Sequence, residues 1–169
     1  MGSKFIFLII LIFILTLIQV FFLSALPILK EINLILCLIA TLFIFSYKKR
    51  PIYLLVLSLI AGLILDLFSL FPFGFFILVF LLLGFFLFWL SKQIQLEKFL
   101  LVVFFGILAN LVYYFFSIIF NQIFYLIKIS DLLINLNYFY FSQIIQSLII
   151  NTLIISLSFL ILRQFKISH

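Results

Sequence analysis

Six apolar runs follow one another along this chain with only short polar breaks between them, and that succession limits the fold more than any motif does. The breaks fall at Pro27 to Glu31, Tyr47 to Pro51, Phe71 to Gly74, Ser91 to Lys98 and around Lys128 to Asn137. They leave spans over residues 5–26, 32–47, 52–71, 74–90, 99–121 and 139–162. A helix needs about 20 apolar residues to cross a hydrocarbon core, so these are membrane-span lengths, the second and fourth being short. With 69% of its 169 residues hydrophobic and 8% charged, the chain has more apolar surface than a soluble fold can cover, and a bilayer is the matching solvent. The sequence predicts an all-α, six-helix polytopic integral membrane protein, one transmembrane domain over 1–169 with no room for an extramembrane domain.

The first run, Phe5 to Leu26, is too long for a signal-peptide core, and the LSALPILKE that follows offers a poor small-residue cleavage site, so it reads as a first transmembrane helix. Cys37 is the single cysteine and His169 the single histidine. A disulfide framework, a thiolate metal site and His-based catalysis are therefore not expected. No Gly-rich phosphate loop, paired carboxylates or Ser/His/Asp set occurs, so neither an enzymatic activity nor a cofactor is expected.

Orientation follows from the basic residues in alternate connections. Lys4, Lys48, Lys49, Arg50, Lys92, Lys98, Arg163 and Lys166 belong to one side, Lys30 and Lys128 to the other. The positive-inside rule then places both termini in the cytoplasm and supports an even number of spans. The net charge of +6 is on this reading a topology signal and a contact with anionic headgroups, not a nucleic-acid surface. Tyr138 and Tyr140 at one boundary, with Tyr47 and Tyr53 at the other, fit an aromatic belt. The segment SDLLINLNYFY is polar and apolar by turns, a pattern suited to a short interfacial helix.

One carboxylate interrupts the apolar pattern. In GLILDLFSLFPFG, residues 62 to 74, Asp66 lies near the end of the third span, where insertion of an acid costs roughly 2.5 to 3.5 kcal/mol at mid-bilayer and less toward the interface. It should face protein or water, and no Lys or Arg is expected at its depth. Two alternatives stand for its chemistry: a protonated carboxyl hydrogen-bonded to an Asn or Gln of another span, or a carboxylate exposed near the outer mouth. Capping of the turn before Pro72 is an equally open structural role. Pro51 suits the first turn of the third helix, and Pro72 with Gly74 allows the third and fourth spans to reverse as a hairpin.

Small and polar residues recur at helical spacing. The third span carries Ser58, Gly62, Asp66 and Ser69; the fifth Gly106, Asn110, Tyr114, Ser117 and Asn121; the sixth Gln143, Ser147, Asn151 and Ser158 with Gln146 beside them; the second Asn33, Cys37 and Thr41. Such stripes mark the faces on which membrane helices meet. They are expected to converge, either as plain packing or, because many members fall in the outer half, around an outward-facing cavity or partner groove.

The run from the second to the fourth span resembles the MreD family of rod shape-determining proteins. The likeness lies in a basic turn (Lys48 to Arg50), a span ending in G-L-x-x-D-L (Gly62, Leu63, Asp66, Leu67), and a short turn with Pro72 and Gly74 opening the next span. It covers about a third of the chain. The resemblance implies a non-enzymatic component of the bacterial cell-elongation machinery in the cytoplasmic (inner) membrane. It further implies pairing with an MreC-like bitopic protein and, through it, a link to MreB filaments and the synthases of lateral peptidoglycan growth. The family is similar in fold to the S components of energy-coupling-factor transporters, so a vitamin-like small-molecule carrier is the alternative. FIFLIILIFILTLIQVFF lacks the Ala-containing docking face typical of those carriers. On the scaffold reading, a partner helix is expected near Asp66, Phe73, Gln143 and Gln146, beside a turn expected to expose Phe71, Phe73 and Phe75.

Overall fold

A computed structural model describes residues 2–26, 29–46, 51–94, 98–129 and 138–167. The basic turn Lys48 to Arg50 and most of SDLLINLNYFY lie outside the described residues, as do the side chains of Lys4 and Lys166. The described residues form six α-helices and no strand: α1 (Gly2–Leu17), α2 (Leu34–Ser46), α3 (Pro51–Phe68), α4 (Phe75–Gln93), α5 (Phe99–Leu126) and α6 (Tyr138–Ile167). α1 runs on into a π-helical stretch, Ile18–Leu23. Four helical segments are long and apolar enough to cross a membrane: Phe5–Leu23, Phe75–Gln93, Phe99–Leu126 and Tyr140–Gln164. Leu34–Ser46 and Ile52–Phe68 are shorter apolar helices. The fourth run, expected to be short, is therefore full length at 19 residues, because Ser91 and Lys92 continue the helix past the last purely apolar residue.

Burial explains how a helix as short as α2 belongs in such a bundle. At 13 residues it is about 20 Å long, well under a hydrocarbon thickness of about 30 Å. Yet Ile35, Leu36, Ile39, Ala40 and Phe43 are all at most 1% exposed. α2 packs against α1, α3, α4, α5 and α6, so neighbouring helices cover most of its surface. α1 is the opposite case: 11% of its apolar window is buried, against 44% for α4. It leans on α3 and α2, with Phe5 edge-on to Tyr53 and Phe13 edge-on to Phe68.

α3 and α4 form the closest pair, an antiparallel hairpin. α3 starts at Pro51, whose missing N–H costs nothing in a first turn. The reversal is made by Pro72, whose carbonyl accepts the Phe75 amide at 3.1 Å, and by Gly74, whose φ of 99° lies in the left-handed region open to glycine. α5 then packs on α4 and on α6, with Phe80 against Tyr113 and Phe75 against Phe124.

Candidate functional site

The polar residues singled out by the sequence sort into two seams, not one. The first is the α3–α4 hairpin. Gly62 lies so close to α4 that a Cβ there would be 2.5 Å from the Phe76 carbonyl oxygen and 2.7 Å from Ile77 Cα. One turn further along α3, Asp66 is 6% exposed and meets the same two residues. Its Oδ1 accepts the Phe76 amide at 2.8 Å, and its Oδ2 accepts those of Gly74 at 3.0 Å and Ile77 at 3.1 Å. A helix start leaves its first amides without intrahelical partners. Here Asp66 takes three and Pro72 the fourth, so the beginning of α4 is fully paired. The side chain's two acceptor oxygens thus complement the unpaired N–H groups at this helix start.

This corrects the expectation for Asp66. Its partners are backbone amides of α4 rather than an Asn or Gln of another span, and it is neither exposed at a mouth nor capping the turn before Pro72. Gly62, Pro72 and Gly74 act in the same hairpin, so the four residues form one device: close approach, reversal, left-handed entry and cap. Ser58, one turn before Gly62, meets Gly84 of α4, whose Cβ would be 3.0 Å from the Ser58 side chain.

The second seam joins α2, α5 and α6. Asn151 of α6 is its centre: its Oδ1 accepts the Asn33 amide at 2.9 Å, and its Nδ2 donates to Asn110 Oδ1 at 3.1 Å and Ser147 Oγ at 2.8 Å. Cys37 Sγ lies 3.6 Å from the same Oδ1. Asn33 in turn caps α2, accepting the Leu36 amide at 3.0 Å, while Gln19, within the π-helical end of α1, accepts the Ile35 amide at 3.3 Å. Asn33, Asn110, Ser147 and Asn151 are all at most 8% exposed. Gly106 of α5 sets the approach, with Thr152 Cγ2 3.3 Å from where its Cβ would be. Glu31, near the start of α2, has a side chain 12% exposed and 3.9 Å from Lys30. Burial raises its carboxyl above the usual range, and Lys30 offsets part of that.

The stripes therefore do converge for the second, fifth and sixth spans, while that of the third is turned toward α4. α3 packs on α4, α1 and α2, and α6 on α5 and α2. Asp66 thus belongs to one seam, and Gln143 and Gln146 lie on the helix of the other. Phe73 is 67% exposed and Gln146 is exposed, whereas Gln143 is half-buried. Phe75 is buried at 1%, not exposed, because it stacks on Phe71 at 4.5 Å between ring centroids and also contacts Phe124. The central role of Asn151 was visible only as membership of a stripe. A period of 3.6 identifies a face but not what it meets.

Among the described residues no group of three His, Cys, Asp or Glu side chains could hold a metal. The two seams combine close helix packing with paired buried hydrogen-bonding groups. No protein-family model, curated protein or solved structure matches the chain.

Proposed function

We propose that the chain is an MreD-like, six-span scaffold of the bacterial inner membrane, holding an MreC-like bitopic partner within the cell-elongation machinery and so maintaining rod shape. One observation supports the reading above others: Gly62, Asp66, Pro72 and Gly74, the core of the resemblance, cooperate in a single capped hairpin. The hairpin presents exposed Leu67, Leu70 and Phe73 at its turn. Exposed aromatic and aliphatic side chains held on a rigid turn suit a protein partner. Asp66 has a positioning role in this reading, fixing the turn that carries Phe73, while Gln143 and Gln146 offer a separate polar contact on α6. Both termini face the cytoplasm, in keeping with the basic asymmetry of the connections.

The test is co-purification with an MreC-like bitopic protein co-expressed from the same cell, repeated with Phe73→Ala and Gln146→Leu and with folded yield measured in parallel. Loss of co-elution at normal yield supports a partner surface at those residues. Failure of the unmodified chain to retain any such partner, with stabilisation instead by a vitamin-like small molecule, would overturn the scaffold in favour of a carrier. The topology is tested separately: in a Cys37→Ser background, a cysteine replacing Ser130 should react with an impermeant reagent from outside intact cells.

A further inference from the structure

Past Asn110 and Asn151 the α5/α6 seam continues toward the start of α2 and becomes richer in hydroxyls. The Asn pair sets the register of the two antiparallel helices, and one turn further Tyr114 of α5 shares a hydrogen bond with Ser147 of α6. Tyr140 lies on the same face of α6, two turns before Ser147. The bond from the Asn33 amide to Asn151 seats the start of α2 on this seam. Glu31, two residues earlier, is near enough for its charge to act on the hydroxyls of both Tyr114 and Tyr140. Tyr113 joins through hydrogen bonds with Asn33 and Ser117. A carboxyl and three phenols from three parts of the chain are thus gathered at one end of the bundle.

Glu31 differs from Asp66, whose oxygens are taken up by backbone amides. Its side chain is 12% exposed, yet Lys30 Nζ stands off at 3.9 Å, outside hydrogen-bond distance, on a side chain that is 40% exposed. A carboxylate drawn out of water beside hydroxyl oxygens, with its counter-ion held at arm's length, attracts positive charge. The donor set selects among cations. A divalent metal wants a shell of several carboxylate oxygens, and among the described residues no such group of acids exists. A primary ammonium carries three N–H donors and no acceptor. Glu31, Tyr114 and Tyr140 can each accept one, since a phenol that donates to a neighbour still accepts, and the two rings add cation–π attraction. We infer that Glu31, Tyr114 and Tyr140 form a site for one primary ammonium group, supplied by an ethanolamine phospholipid headgroup or by a free alkylamine. Lys30 is its resident competitor. Neither the scaffold reading nor the side of the bilayer enters this assignment.

The experiment follows thermal unfolding of the whole chain in uncharged detergent at neutral pH. Ethanolamine is titrated against choline chloride at matched ionic strength, and phosphatidylethanolamine against phosphatidylcholine in mixed micelles. The primary amine of at least one pair should raise the unfolding midpoint saturably, and its quaternary counterpart should not. A response to the phospholipid alone assigns the site to a headgroup, and a response to ethanolamine assigns it to soluble amines as well. Glu31→Gln, which keeps shape and removes charge, should weaken the apparent affinity about tenfold or more. Tyr140→Phe, which keeps the ring and removes the hydroxyl, should weaken it several-fold. Lys30→Gln, which removes the competitor, should strengthen it several-fold, an effect that a merely structural role for Glu31 would not produce. No saturable response to either amine would overturn the proposal, as would equal responses to amine and quaternary control or affinities unchanged by Glu31→Gln.

Discussion

Asp66 supplies the cap that Gly74 has no side chain to provide: its Oδ2 accepts the Gly74 amide from eight residues upstream, across the hairpin. Capping and close approach are thereby one structure, since the amides that Asp66 pairs come within reach only because Gly62 brings α4 against α3.

Substitution at Asp66 should follow the order Asp, Asn, Leu. Asn keeps one acceptor oxygen but turns an NH2 toward N–H donors. Leu leaves three amides without partners, each costing about 1–3 kcal/mol where water cannot replace them. Thermal unfolding in detergent should show a graded loss. Equal stability of Asp66→Leu and the unmodified protein would mean that the cap contributes nothing.

Gly62→Ala should be more damaging than Gly84→Ala, although both residues lie on the same seam. The new methyl at 62 meets backbone atoms at 2.5 to 2.8 Å, which cannot move without separating the helices, whereas at 84 it meets the Ser58 side chain at 3.0 Å. Overpacking of the first kind costs about 1–3 kcal/mol. Comparing the two unfolding midpoints checks the order.

Asn151→Ala removes bonds to Asn33, Asn110 and Ser147 together. Interhelical hydrogen bonds in membranes average about 0.6 kcal/mol, with an upper value near 1.7, so the expected loss is about 1–2 kcal/mol. In a double-mutant cycle with Asn110→Ala, the double variant should lose well under the sum of the two single losses if the pair interacts as described, and strictly additive losses would show that it does not.

Glu31 gives a pH dependence whose sign can be worked out. Burial raises its folded carboxyl above the unfolded value, so the folded state holds its proton over a range in which the unfolded state has lost it. Stability should fall as pH rises from the ordinary glutamate range through the folded value. Glu31→Gln should remove that decline and stabilise the protein at neutral pH relative to the unmodified chain. An unchanged pH profile would show that Glu31 does not contribute it.

Much of this architecture was legible in the residues themselves. The six apolar runs became six helices, Pro72 and Gly74 marked a real reversal, and the polar stripes of the second, fifth and sixth spans do meet. The partner of Asp66 was not legible, because its donors are the amides of Gly74, Phe76 and Ile77, and backbone groups leave no trace in residue type. Nor was the burial of Phe75, which depends on Phe71 folding back and on Phe124 arriving from a distant helix. The register between stripes is set by which helices become neighbours, and periodicity alone does not carry that information.

The shortness of α2 bears on the order in which the protein is made. A 13-residue helix partitions poorly into lipid alone, so in the proposed six-span arrangement α2 enters the bilayer in company with its neighbours. Its seat is completed late, because the residue that receives the Asn33 amide lies 118 positions downstream. Until α6 is synthesised, the start of α2 lacks that partner, and nascent chains ending before Asn151 should be the ones that quality-control proteases recognise.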